Sequence, residues 1–414
     1  MSRADQSSAE ERTFRIELKR SVTSGILEGA ASTFLLLVAV KYLQTGETAK
    51  ALLVAGAPLG LLLSPLATAL VRHRQWSAAR GLAFFGWLGA AGFTLAAAGE
   101  TFLYLAGSLI GLLTMSLGIP LVVQIYHDNF PERVRGHLFS RVMMLRVGVT
   151  ALFAMVAGAG LDRSFEYYRI LLLVFAAAAA MGAWWSTQFP ARPLASATSV
   201  NPLQGLRHLK NDRTFRWILV SWMFMGIGNL IMLPLRIEYL GDPRYGISYS
   251  PLLIAICVTA VPAVVHLLFA LPFGWLFDRM NFFVLRIVLN ILIVAWILSF
   301  FLVGGLLGFL LGGVFLGLSF AGGSVTWSLW VTKIAPPGLV AEYMGVHTFL
   351  TGVRACLSPF LGFYIATFVM MDSLAVYSSL SIVLGSLFLI PEARTIRARR
   401  RGTLVAPQPS NLQE

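Results

Sequence analysis

Apolar stretches of roughly 20 residues, each closed by a short break carrying charge, Pro, Gly or Asn, follow one another along the whole chain. The pattern predicts helices near 21–43, 49–71, 77–99, 101–123, 137–161, 169–189, 215–240, 251–276, 282–304, 306–333, 343–369 and 372–391. At 1.5 Å per residue, about 20 residues cross a hydrocarbon core of about 30 Å. Twelve such segments predict an all-α integral membrane protein, and an even number of crossings puts both termini on one side.

Composition narrows the class. Only 12% of the 414 residues are charged and 57% are hydrophobic, with a mean hydropathy of +0.75. A soluble domain carries about 25% charged residues, so a cytosolic enzyme, a secreted domain and a single-span anchor are excluded. The net charge of +13 would suggest nucleic acid in a soluble chain. Here the basic residues lie between apolar runs and read as topology signals, with no role for nucleic acid. Of the 32 Lys and Arg, 24 fall on the side of the termini, Arg286 among them. Six fall opposite, including Lys50 and Arg236, and Arg146 and Arg354 lie within spans. By the positive-inside rule the richer side is cytoplasmic, and the expected location is a bacterial inner (plasma) membrane with both tails inside. The Arg397–Arg401 run reads as an anchor at anionic lipid headgroups.

The chain carries little conventional chemistry. Cys257 and Cys356 sit in apolar runs and read as small core residues. The six histidines show no metal-ligand spacing, and there is no Walker A loop or GxSxG elbow. No metal, no cofactor and no enzymatic activity are expected. Residues 1–20 are polar, and the apolar run after them is too long for the core of a cleavable signal.

The longest interruption, residues 190–212, is polar and basic and divides the spans six and six. The organisation predicted is a tail over 1–20, a six-helix bundle over 21–190, a cytoplasmic loop over 191–212, a second bundle over 213–391 and a basic tail over 392–414. Sliding one half onto the other pairs Glu28 with Asn229, Pro65 with Pro272, Arg72 with Arg279, Gly136 with Gly345 and Arg146 with Arg354. The offset drifts from 201 to 209, which one longer loop at 241–251 accounts for. Two parallel, pseudo-symmetric six-helix halves follow.

Those halves, with a basic central loop and the sequence Gly274-Trp275-Leu276-Phe277-Asp278-Arg279-Met280-Asn281 between spans eight and nine, resemble the major facilitator superfamily of secondary transporters. The short motif looks like that family's inner-loop signature. The matching turn of the first half keeps Pro65 and Arg72 but has Ala67 for the Gly and Val71 for the Asp. The fifth span also lacks the Gly-Pro run typical of drug/proton antiporters, having only Gly158-Ala159-Gly160. The resemblance implies alternating access around a central site. It also implies a conformational gate at Gly274, Asp278, Arg279 and Arg72, in which Asp278 latches onto the helix start at Asn129-Phe130-Pro131-Glu132. The other reading is a solvated turn serving topology alone.

Two arginines at repeat-equivalent mid-span positions, Arg146 and Arg354, are the strongest binding candidates, because an arginine at that depth needs water or a partner. A guanidinium pair there would hold a carboxylate or phosphate in bidentate fashion. Structural ion pairing is the alternative. Asn229, Gln124 and Trp327 are further substrate-lining candidates, with Trp222, Thr326, Trp330 and Tyr364 as possible companions. Glu28, about 12 Å into the first span among small residues, is a proton-coupling candidate or one half of a fixed pair with Arg146. His266 is a second proton candidate or a core histidine. The Gly304, Gly308, Gly312, Gly313 and Gly317 spacings read as close helix packing.

The functional expectation is a monomeric, proton-coupled carrier of a small organic anion or amphiphilic metabolite in the lipid bilayer. A drug or metabolite exporter of the same fold is the first alternative. An integral-membrane transferase built on Tyr126-His127-Asp128 is an alternative of another class.

Overall fold

The computed structural model describes residues 3–191, 207–335 and 339–391. The central loop residues 192–206 and the tail from 392, with its arginine run, lie outside the described residues. Among the described residues, eleven helices are long and apolar enough to cross a membrane: α1 Ser8–Lys41, α2 Glu47–His73, α3 Ala78–Ala98, α4 Thr101–Asn129, α5 Val134–Arg163, α6 Phe165–Ser186, α7 Arg213–Gly241, α8 Pro251–Arg279, α9 Phe282–Leu302, α10 Gly305–Trp327 and α11 Glu342–Ile365. A shorter apolar helix, α12 Met371–Leu387, completes the twelve.

Packing repeats pair for pair. In the first half α1 lies against α5 and α6, α3 against α4 and α6, and α2 against α4. In the second, α7 lies against α11 and α12, α9 against α10 and α12, and α8 against α10. The two halves meet along α5 with α8 and α2 with α11, two seams that the internal repeat interchanges. The fold is two pseudo-symmetric six-helix bundles. We call the end that carries the chain termini the terminal face and the opposite end the distal face.

Helix starts follow local chemistry. Ser77, Asp212, Ser250 and Asn281 each accept a backbone N–H of the first turn they precede, at 3.2, 2.9, 3.3 and 2.8 Å. Prolines sit inside α2, α7, α8 and α11. In a bundle, neighbouring helices absorb the missing donor. Two short π-helical stretches, Ala30–Phe34 in α1 and Ile256–Ala260 in α8, face each other across the bundles. Gly308 and Gly312 of α10 admit α9, where added Cβ atoms would lie 2.7 Å from Ser299 O and 2.8 Å from Phe300 Cβ. Gly313 and Gly317 admit α8, at 3.0 Å from Cys257 O and 2.6 Å from Pro262 O. Both cysteines are buried and free.

The N-terminal segment read from sequence as a tail is helical from Arg3 and continues into α1. Its Glu17 is buried, bonded to Arg20 at 2.8 Å and to Tyr126 Oη at 2.6 Å. The segment is therefore packed at the terminal face by a polar contact that hydropathy does not reveal.

Candidate functional site

At the distal face the bundles are joined by charge. Lys50 Nζ of α2 lies 3.2 Å from Glu238 Oε1 of α7, and both side chains are almost wholly buried. Glu47 lies 3.4 Å from Lys50 and 3.3 Å from Arg244, which also pairs with Glu238 and sits 3.6 Å from Asp242. Burial pushes the Tyr245 phenol up to about 12, so it stays protonated and accepts from Arg244 Nη2 at 2.7 Å. Lys41 reaches Ser248 Oγ at 3.3 Å and the Tyr249 carbonyl. Asp162 of α5 accepts the Leu252 N–H at 3.0 Å, one of the donors left open at the start of α8. Below this layer the Thr33 and Thr259 hydroxyls of the two π-helical stretches bond to one another. Close approach is obligatory at Gly158, where a Cβ would lie 2.9 Å from the Leu252 Cα.

The terminal face is different. Arg72, Asp278 and Arg279 are exposed, and Asp278 has no partner among the described residues. Arg279 lies over the Trp275 ring at 4.3 Å, and Lys333 caps the end of α8 through the Phe277 carbonyl. A Cβ at Gly136, Gly274 or Gly345 would meet nothing within 4 Å. The residues of the predicted gate lie at the end of α2 and in the α8–α9 turn, with no ion pair from Asp278 among the described residues. The halves are joined by ion pairs at the distal face, and among the described residues no ion pair joins them at the terminal face.

Between these levels, α1 and α5 touch closely. A Cβ at Gly25 would lie 2.7 Å from the Arg146 carbonyl, and Thr150 Oγ1 donates to the Gly25 carbonyl at 3.0 Å. Glu28, one turn further along α1, is exposed and forms no ion pair among the described residues. Arg146 is half-buried, its Nε lacks an acceptor, and it pairs with no carboxylate among the described residues. It stands on α5, which packs against α8 across the seam between bundles. The half-buried His266 lies near the middle of α8.

Arg354 takes another course. Its guanidinium enters the second bundle, lying against Gly226 of α7 where a Cβ would be 2.4 Å from Nε. It donates to the Trp222 carbonyl at 2.5 Å and to Thr351 Oγ1 at 3.3 Å. Arg146 and Arg354 keep their repeat-equivalent positions but not equivalent surroundings. Asn229 accepts from Trp296 Nε1 at 3.1 Å inside the same bundle. Gln124 donates to Asp128 at 2.8 Å. Trp327 lies 5.6 Å from the His347 ring. Thr326, Trp222 and Trp330 are buried in the bundle and Tyr364 is exposed on its flank. Tyr126 is committed to Glu17, while His127 and Asp128 are exposed and 3.2 Å apart.

Three basic residues counted from sequence as loop charges are buried. Lys50 joins the distal seal, Arg286 lies 4.1 Å over the Trp222 ring, and Arg236 donates to the Leu233 and Val258 carbonyls at 2.9 and 3.3 Å. Each stands within two turns of a helix end, where a long side chain can turn inward as readily as snorkel out. The distal seal was not anticipated from sequence. Its one local signal is Glu238, an acid near the end of an apolar run with Arg236 two residues before it.

Residues 21–359 match the Major Facilitator Superfamily. No curated protein matches the chain by sequence. Among solved structures, the nucleoside transporter NupG is similar at a TM-score of 0.73 and 17% identity, covering 91% of this chain and 98% of its own. A POT family transporter in complex with a thioalcohol-conjugated peptide gives 0.72 and 12%, covering 93% and 96%. The xylose transporter XylE from E. coli, in a partially occluded inward-open conformation, gives 0.68 and 13%, covering 93% and 98%. At these identities the likeness is one of fold, and the family rests on the sequence match over most of the chain. The chain is a multi-pass integral membrane protein of the Major Facilitator Superfamily, a transporter and not an enzyme.

Proposed function

We propose that this transporter is a proton-coupled carrier of a small organic anion, or of an amphiphilic metabolite bearing an acidic group. It works by alternating access, with the terminal face cytoplasmic. The observation that carries the reading is Arg146: a mid-span cation on the α5 side of the seam between bundles, without a carboxylate partner among the described residues. A guanidinium at that depth needs water or an anion to be tolerable, and the terminal face, where no ion pair joins the halves among the described residues, is the proposed route for both. Glu28, exposed one turn beyond the contact of α1 with Arg146's helix, supplies an acid that can load and release a proton. The basic asymmetry of the loops supports the orientation, and Asp278 together with the open space at Gly274 supports the latch as the element that closes when the carrier turns over. The bundles are proposed to span 21–190 and 213–391, with 191–212 as the cytoplasmic connector and the functional unit a monomer.

The test is uptake into proteoliposomes from a panel of organic acids and matched neutral amphiphiles, with and without a pH gradient. Gradient-driven accumulation of an acid, lost in Arg146→Lys, is the expected result. Equal transport of neutral compounds by wild type and Arg146→Lys, with no acid carried, would overturn the anion assignment in favour of an exporter of neutral amphiphiles.

A further inference from the structure

The second bundle holds two arginines that the carrier mechanism above does not use. Arg286 of α9 and Arg354 of α11 are 3% and 5% exposed, and their guanidinium carbons lie 4.1 and 5.6 Å from the centre of the same ring, Trp222. The two charges are therefore within about 10 Å of one another, repelling through a low-dielectric interior. Arginine does not shed its proton to relieve this. Neither residue pairs with a carboxylate among the described residues. Arg354 has one backbone carbonyl and one hydroxyl, while the Trp222 ring offers both a π face.

Around this ring the unsatisfied groups are mostly donors, with Asn290 Oδ1, one turn beyond Arg286 on α9, an unsatisfied acceptor. Arg286 Nη2, Arg354 Nε, Trp222 Nε1, Trp330 Nε1 and His347 Nε2 are all buried without a hydrogen-bond partner. His347 is 4.7 Å from Trp222 and 5.2 Å from Trp330, ring to ring, and the two indoles are 6.1 Å apart. Four of the five are obligate donors, and the imidazole can serve as a fifth in the tautomer protonated at Nε2. Buried polar groups in native proteins are almost always satisfied. A cluster of orphaned donors with excess positive charge and no acid lacks one component, a negative acceptor.

We propose that this cluster binds a compact inorganic anion of chloride size, held by Arg286 and Arg354 against the indole N–H groups. Enclosure chooses the occupant: Trp222, Trp330 and His347 are at most 3% exposed, so a carboxylate tail would have no exit. The anion ties α7, α9, α11 and the turn that follows α10 together inside the second bundle. It is separate from Arg146 and independent of which substrate is carried.

The experiment uses the purified full-length protein. Thermal unfolding is followed in sodium chloride and sodium bromide against sodium gluconate at constant ionic strength, and crystals soaked in bromide are examined for anomalous scattering. The expected result is a saturable rise in Tm with either halide, a bromide peak beside Trp222, and loss of the saturable rise in Arg286→Met. Trp330→Phe, which removes a single donor, raises the half-saturating halide concentration severalfold and covers the case in which Arg286→Met does not fold. Arg146→Met keeps the full halide response. No saturable rise in wild type, an unchanged response in Arg286→Met or Trp330→Phe, or bromide only at other places overturns the proposal. Loss of the response in Arg146→Met would move the anion to the seam, overturning this site while leaving the carrier reading intact.

Discussion

Neutralising Glu238 should open the distal face. In Glu238→Gln the side chain keeps its size but Lys50 retains only Glu47, at 3.4 Å, and Arg244 only Glu47 and Asp242, at 3.3 and 3.6 Å. Two unit charges 3.2 Å apart, the Lys50–Glu238 separation, attract by about 5 kcal/mol at an effective dielectric constant of 20. Part of that attraction is offset by desolvation, and breaking one member of a buried pair costs about 3–5 kcal/mol in practice. The cost falls only on the sealed conformation, since the same groups are hydrated once the distal face opens. Taking about 3 kcal/mol, the ratio of sealed to open molecules falls on the order of a hundredfold. Spin labels at Phe102 on α4 and Leu306 on α10, both exposed at distal helix ends, report this as a distance distribution in a Cys257→Ser, Cys356→Ser background. A longer distance should become the dominant population in Glu238→Gln. An unchanged distribution in a variant that still unfolds cooperatively would mean that apolar packing along α5 and α8 holds the seal and the ion pairs are incidental.

Asp278→Asn should shift the carrier toward the conformation described here by removing a latch contact of about 0.3–2 kcal/mol at a helix start; lower transport with normal membrane insertion, and slower protection of cysteines placed on the terminal face, are the readouts. Arg146→Lys should impair transport without lowering expression, because Lys lacks the bidentate fork. Arg354→Lys should instead lower Tm, since the contact with the Trp222 carbonyl is a charge-assisted hydrogen bond of about 1.5–3 kcal/mol. Glu28→Gln, a mimic of the protonated acid, should abolish pH-driven accumulation and preserve substrate exchange. A pH-driven gradient surviving in that variant would pass the coupling role to His266.

Hydropathy made the twelve spans and the two halves legible because burial in lipid leaves a long, uninterrupted signature. The same reasoning located Arg146 and Arg354 at mid-depth, yet depth along a helix is not direction around it. Which way a guanidinium turns depends on what packs beside its helix, Gly226 for Arg354 and the α8 seam beside the helix of Arg146, and neither is encoded nearby in the chain. The distal seal was hidden for a related reason. Lys50 and Glu238 are 188 residues apart, and each alone looks like an ordinary helix-end charge. The inward turn of Arg286 was hidden by the opposite assumption, that a basic residue near a helix end stays in water. The Gly274–Asn281 motif stands out in the sequence because it is confined to one turn.

The π-helical stretch at Ala30–Phe34 contains one residue more than regular α-helix needs at that place. If the stretch tightened to regular α-helix at the same length, every residue beyond it would turn by about 100° and advance by about 1.5 Å. Thr33 would lose register with Thr259, and Lys41 would swing off the Tyr249 carbonyl. A change of one turn from π to α in a stretch of small and apolar side chains thus acts as a rotation of the whole distal third of the helix. Ile256–Ala260 carries the matching surplus on the other half. The π turns of these two helices are therefore a paired setting: changes that keep the register beyond them leave it alone, whereas tightening either turn at constant length resets it.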